Sequence, residues 1–373
     1  MWIYILLLAG SVILGVLICR NKIGNMIYCI LAGIALFVIA ALRRSVGHDY
    51  NNYAWGYWGY MSESLETIAQ ARTEKGYSML NKLLADYIPE YQSIFIIVAA
   101  FFAICTAVAV YKYCKRPYIA ITFFLVFGAY FNTLNFLRQF IAAYIMFYAY
   151  RFIKKNQFFR FLILVLFATC FHRSALIMIP LFFIMRVKVS PVSAGVIAGL
   201  TVIYLIFSWN IMEMLTQFLY AYRGYTLATS GHFALGCNPT YAICVTVFFI
   251  PVWLVRKRLI AEDPDNNLLI NCYIFLLVFE LIGVKHSIIS RLAAYFILPV
   301  ALILMPRVVE TIIEWCKHKF RKDRNKVTAW TAIIVSAFSI ACIGMYGALL
   351  ARNYNGILPY RTMFDDFSTE GTE

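Results

Sequence analysis

The chain has 373 residues, 62% of them hydrophobic and 14% charged, with a formal net charge of +15. Soluble domains carry about 25% charged residues, so the composition excludes an ordinary soluble enzyme. The positive balance is that of the Lys- and Arg-rich cytoplasmic loops of a membrane protein, and no nucleic-acid partner is expected.

Residues 2–19, 23–42, 91–111, 117–134 and 327–351 contain no Asp, Glu, Lys or Arg. A helix needs about 20 apolar residues to cross the hydrocarbon core, and runs of this length read as helices rather than barrel strands. In chain order the pattern predicts twelve spans: 2–19, 23–42, 91–111, 117–134, 135–150, 158–171, 174–185, 191–208, 239–255, 267–284, 290–305 and 329–350. The first does not read as a cleaved signal peptide, because no cation precedes it and Arg20 and Lys22 follow it. With the N-terminus outside, the inside loops are 20–22, 112–116, 151–160, 186–190, 256–266 and 306–328. They hold 21 of the 33 Lys and Arg, which supports that orientation. The segment 158–185 reads as a hairpin of two short arms with "FHRSA" at its outer turn. A single span through His172 would flip every later loop and turn the basic 306–328 outward.

The expected fold is therefore an all-α polytopic bundle, one transmembrane domain over 1–373, with both termini extracytoplasmic. Two long outer loops, 43–90 and 209–238, form its external rim. In "YNNYAWGYWGY" the tyrosines at 50, 53, 57 and 60 recur at helical steps, which predicts a helix lying in the membrane interface. The chain ends in an acidic tail, "DDFSTEGTE".

The ten cysteines form no CxxC pair and no metal-ligand spacing. No Walker loop, G-x-S-x-G, H-E-x-x-H or dinucleotide fingerprint occurs. "DPD" at 263–265 reads as a turn in a short inside loop. No metal or cofactor is expected, and the substrate should arrive already activated and already in the membrane.

Under this topology Arg43, Arg44, Arg138, Arg173, Arg223, Lys285 and Arg291 fall near the outer ends of spans. A charge at the centre of a span costs about 2.5–3.5 kcal/mol on insertion scales, so such cations face a cavity or a partner. Arginine forks onto phosphate, and a ring of outer arginines under aromatic side chains suits an anionic headgroup or a lipid-linked pyrophosphate. Plainer readings stand beside this one. Arg43 and Arg44 are also placed as interface anchors. Arg138 shares a helix face with Asn132 and Asn135, with Gln139 adjacent, and such stripes also glue helices together. Arg173, Lys285 and Arg291 also fit as span boundaries. His172 suits a general base near neutral pH, or a packed, hydrogen-bonded histidine. Asp49 suits a base, an arginine partner or a helix cap, and Glu74 in "EKGYSML" is equally open.

"RRSVGHDYNNY" resembles the R-x-x-V-G-x-D-x-x-x-Y signature of EpsG-type, Wzy-like bacterial polysaccharide polymerases. The likeness continues in order through "EKGYSMLNKLL", "NTLNFLRQFIAAYIMFYAYRFIKK", "FATCFHRSALIMIPLFF", "SRLAAYF" and "GILPYRTMF". His48 departs from the small residue often found before the aspartate. The resemblance implies an architecture like that of membrane glycosyltransferases using polyprenyl-linked donors. It further implies an inverting, metal-independent polymerase in the bacterial cytoplasmic membrane. Donor and acceptor are undecaprenyl-pyrophosphate-linked oligosaccharides, membrane lipids surround them, and a chain-length regulator is a candidate partner. Positions carried over are Arg43, Asp49, Arg138, His172 and Arg291. Arg138, Arg291 and Arg43 are assigned to pyrophosphate and His172 to the base. Asp49 orients an arginine, binds sugar or competes as base. Arg44, Asn135, Gln139, Tyr50, Tyr53, Arg173 and Glu74 are assigned to the substrate. The rival readings are a transporter or flippase of lipid-linked oligosaccharide, an O-antigen ligase-type transferase and a membrane acyltransferase.

Overall fold

The computed structural model describes residues 1–70, 74–218, 237 and 239–365. Arg223, most of the loop 209–238 and all but the first residue of the acidic tail lie outside the described residues. Among the described residues there are helices and turns but no strand, apart from one isolated bridge, Arg43 to Thr362. Six helices are long and apolar enough to cross a membrane, or seven when a bent pair is counted as one span; the protein is a multi-pass membrane protein. The remaining predicted spans are helical but shorter or more polar. Residues 158–169 form a helix of 12 residues, and 137–154 carries Arg138, Arg151 and Lys154.

The chain forms two compact units. The first comprises Met1–Ile145, Leu166–Ala175 and Tyr346–Glu373. Its helices are α1 (Trp2–Ile18), α2 (Lys22–Ala41), α3 (Tyr50–Ser62), α4 (Leu65–Gln70), α5 (Lys75–Tyr87), α6 (Gln92–Tyr113), α7 (Pro117–Val126), α8 (Ala129–Asn135) and the start of α9 (Leu137–Lys154). Asn21 caps α2 by accepting from the Gly24 amide at 2.8 Å, as N-cap asparagines do. Helices α2 and α6 pack together, and small buried residues lie on both, Ala32 and Ala40 on α2 and Ala99 and Ala103 on α6. In lipid, such residues let backbones approach closely.

The span predicted at 117–134 is broken. Gly128 takes φ +67, a left-handed conformation that only glycine adopts cheaply, and α8 leaves α7 at 57°. A second break follows at Phe136 (φ −103, ψ 60) before α9 begins. Asn132 and Asn135 therefore sit on α8 and Arg138 on α9, which corrects the expectation of one polar stripe on one helix.

After the helix Arg324–Ala351 the chain turns back along residues 42–48. The amides of Met363, Arg44, Gly47 and His48 pair with the carbonyls of Leu42, Arg361, Gly356 and Asn355 at 2.9–3.1 Å. The terminal "GILPYRTMF" thus straps the "RRSVGHD" segment, and Tyr360 Oη ties the strap to the Ile39 carbonyl at 3.0 Å.

The second unit comprises Met146–Val165 and Leu176–Met345. Helix α10 (Phe158–Thr169) begins and α11 (Met178–Ile184) ends at the same level, with Phe158 against Phe182 and Phe183 at 5.2 and 5.3 Å. That pairing is an antiparallel hairpin with His172 in its turn, as the charge pattern predicts. Helix α12 (Pro191–Phe218) kinks at Phe207, and α13 (Pro239–Glu262) and α14 (Asn266–Gly283) follow. The predicted span 290–305 lies within one continuous candidate span, Ser287–Lys319. Its winding passes through a 3-10 turn at Arg291–Ala293 and a π turn at Val300–Leu304, with Pro299 between them, before the regular helix Met305–Lys319. "DPD" is a turn: Asp263 accepts from the Asp265 amide at 2.9 Å and from Arg307 at 2.7 Å, and Asp265 pairs with Lys154 at 3.0 Å. Burial raises the Asp263 pKa, but these hydrogen bonds outweigh it and hold the carboxyl below its usual range.

Candidate functional site

The site begins at the N-terminus of α5. Its first amides have no partner within the helix. Those of Gly76 and Tyr77 donate to the carbonyl of Cys170 at 2.7 and 3.3 Å. A side chain at Gly76 would put a carbon 2.8 Å from that oxygen and 2.9 Å from the Cys170 Cβ. Glycine therefore lets the turn between α10 and α11 lie directly on the helix end, with His172 two residues beyond the contact.

Glu74 precedes this helix in extended conformation and makes no capping bond of its own. Its carboxylate reaches two other elements. Oε1 lies 3.2 Å from His172 Nδ1, and Oε2 accepts from Arg138 Nη1 at 2.8 Å. Arg138 is the second residue of α9, brought here by the break at Phe136. Tyr77 lies under the guanidinium, 5.8 Å from ring centre to Cζ, and Tyr53 packs edge-on to Tyr77 at 5.9 Å. The Glu74 side chain is 11% exposed, while those of His172 and Arg138 are 27% and 36% exposed. The carboxylate is thus the sheltered hub and its two partners face outward.

The electrostatics follow. Burial alone would raise the Glu74 pKa, but the His172 hydrogen bond and the Arg138 charge together hold it at about 2. An ionised Glu74 only accepts hydrogen bonds, so His172 donates from Nδ1 and turns Nε2 away from the carboxylate. Burial pushes the Tyr53 phenol up and the Asp49 charge adds to this, against the opposing charge of Arg138.

Asp49 lies half-buried at the start of α3. Its backbone N–H donates to Asn135 Oδ1 at 2.9 Å, and its carboxylate makes no capping bond, unlike the cap reading. Asn135 is buried and Asn132 accepts from Asn355 Nδ2 at 2.7 Å. These two asparagines hold the loop and the C-terminal strap rather than facing an opening. Gln139 is buried one residue beyond Arg138.

Arg43 is not at this opening. It is 2% exposed, donates from Nη1 to the Ala40 carbonyl at 2.7 Å and from Nη2 to the Leu134 carbonyl at 2.9 Å, and lies over the Phe95 ring at 4.9 Å. The expectation of a diphosphate ligand meets a guanidinium already committed to backbone. Tyr50 likewise is core, stacked on Phe95 at 4.2 Å and donating to Gln92 Oε1 at 2.8 Å. Arg44 is half-buried beneath the strap, and Arg173 is exposed at the start of the helical turn after His172. Arg291 belongs to the second unit, where it is exposed.

The sequence reading missed Gly76, Tyr77 and Gln92. The glycine of "EKGYSML" was the available signal for the first. Gln92 donates to the carbonyls of Ala41 and Arg43 at 2.6 and 3.0 Å and fixes the segment leading to Asp49.

No curated protein and no solved structure matches the chain. The sequence model of the EpsG family matches residues 26–362, a stretch that takes in all of the residues just described. The chain belongs to the EpsG family.

Proposed function

We propose that this protein is a polysaccharide polymerase that joins undecaprenyl-pyrophosphate-linked repeat units at the extracytoplasmic face of the bacterial cytoplasmic membrane. The observation that carries the reading is the Glu74 carboxylate holding Arg138 with one oxygen and His172 with the other. One group offers a fixed cation, the other an oriented imidazole, and both face outward. Family membership supports polymerisation of polysaccharide. The twelve-span topology, with the basic loops inside, is part of the proposal.

In the proposed reaction the acceptor hydroxyl oxygen attacks the anomeric carbon of the donor with inversion. The new glycosidic C–O bond forms as the bond to the lipid diphosphate breaks. The hydroxyl proton passes to His172 Nε2, in the manner of general-base catalysis. Charge developing on the departing diphosphate is met by Arg138. Asp49, whose carboxylate makes no capping bond, is the competing base or a sugar ligand. Tyr53 and Arg173 flank the sugar path, and Arg291 is a further candidate for the diphosphate. Arg43, Tyr50 and Asn135 are reassigned to the frame.

Purified protein given synthetic lipid-linked repeats should produce a ladder of glycan lengths. His172→Ala and Asp49→Asn decide which is the base: the variant of the true base loses the ladder and accumulates single repeats. Movement of the lipid between leaflets with no new glycosidic bond would replace the polymerase reading with the transporter.

A further inference from the structure

Helix α5 turns an apolar row outward. Tyr77 and Ala85 are buried together with the polar Ser78 and Asn81, while Met79, Leu83 and Tyr87, at steps of four, are 45%, 52% and 84% exposed. An amphipathic helix on a soluble surface keeps its outward face polar. Ser78 meets the Tyr60 hydroxyl at 3.1 Å, and Asn81 Nδ2 donates to the Tyr77 carbonyl at 2.7 Å while its Oδ1 finds no hydrogen-bond partner. The outward apolar row is bordered by a charged pair, Lys82 with Asp86.

Two further observations say what covers this row. With 13 residues, α5 is about 20 Å long, short of the roughly 30 Å hydrocarbon core, so it does not span. Helix α5 also packs against α3 and α6, and the Ile88 carbonyl at its end accepts from the Tyr57 hydroxyl of α3 at 2.7 Å. Trp55 packs edge-on to Trp58 at 4.9 Å, and Trp58 onto Tyr91 at 5.3 Å. Tyr91 opens α6, a candidate span whose Phe101, Ile104 and Val108 are exposed along its length. Tryptophan and tyrosine at a span end mark the interfacial layer.

We propose that α5 and the outward face of α3 lie in one leaflet of the bilayer, with Met79, Leu83 and Tyr87 in contact with phospholipid acyl chains and Trp55 and Trp58 at the headgroup layer. The docking surface stands independently of the reaction proposed above. Its consequence for that reaction is positional: Glu74, at the N-terminus of a lipid-seated helix, sets the Arg138–His172 pair at headgroup depth.

The test uses the full chain reconstituted in phosphatidylcholine vesicles. Tyr87→Trp, at the most exposed position of the row, and Leu83→Trp each add one fluorophore whose emission is taken by difference from the parent. The expected result is a blue-shifted component quenched several-fold more by acyl chains brominated near the headgroup than by aqueous iodide. Quenching by iodide and not by bromolipid overturns the proposal, because the face is then in water. Shielding from both also overturns it: if dilution in lipid releases the shielding, a second copy covers the face, and if not, another part of the chain does. Loss of polymer synthesis with lipid quenching intact would count against the reaction alone.

Discussion

Arg43 and Arg138 lie in the same unit and are both outer-end arginines of the sequence pattern, yet the structure uses them in opposite ways. Arg43 is enclosed, with two of its donors on carbonyl oxygens of Ala40 and Leu134. Arg138 leans on a carboxylate, stays one-third exposed and faces outward beside an imidazole. A guanidinium on backbone carbonyls ties together chain segments that would otherwise bury unpaired acceptors. A guanidinium on a sheltered carboxylate is held in place while it retains a face for an incoming anion. The difference teaches that an arginine's partner, more than its depth, separates frame from site.

The sharpest way to break this comparison is to remove each charge and read two quantities. Arg138→Ala should lower polymer formation by about 10²–10³-fold, the size seen when a donor to developing negative charge is lost, with little change in thermal stability in detergent. Arg43→Met should do the opposite. It leaves the Ala40 and Leu134 carbonyls without donors, at a cost of about 2–4 kcal/mol, while the molecules that remain folded keep most of their turnover. Equal stability losses in both variants, with equal activity losses, would erase the distinction.

The sequence made the helices legible because charge-free runs of about 20 residues have few other solutions in lipid. Arg138 and His172 stood out as candidates for a related reason: polar groups among apolar runs require a partner. What stayed hidden was the partner. Glu74 is 64 residues from Arg138 and 98 from His172, and no local pattern encodes that meeting. Arg43 was harder to read because a snorkelling, a buried and a substrate-facing arginine look alike in a string of letters; its bonds to the Ala40 and Leu134 carbonyls are visible only in the fold. The break at Gly128 was missed because hydropathy runs smoothly through it, whereas the one at Phe136 falls beside the boundary between the predicted spans 117–134 and 135–150.

Gly76 sharpens the comparison from the side of the site. Gly76→Val would drive a side chain into the Cys170 carbonyl, 2.8 Å from where its Cβ must lie. The helix end and the His172 turn then have to part. Overpacking of this kind costs about 1–3 kcal/mol, and Glu74 would reach Arg138 but not His172. The expected outcome is a fall in turnover about as deep as that of His172→Ala, with binding of lipid-linked repeats largely kept. Retention of full turnover would mean that the Glu74–His172 contact does not orient the base.

The smallest expected effect is a pH dependence of stability. Glu74 is held at about 2 against an ordinary carboxylate value of 4.5. The group is depressed in the folded protein, so its contribution is fully present above about pH 4.5 and is lost as pH falls towards 2. Wild type should therefore lose thermal stability across that window faster than Glu74→Gln, which has no carboxylate to protonate and keeps only neutral hydrogen bonds to Arg138 and His172. Above pH 5 the order reverses: Glu74→Gln is the less stable of the two, and Glu74→Asp, with the charge on a shorter arm, falls between them. Parallel curves from pH 6 to 3 would show that Arg138 and His172 draw no net stabilisation from this carboxylate. The hub would then be a product of crowding at the α5 terminus rather than of charge.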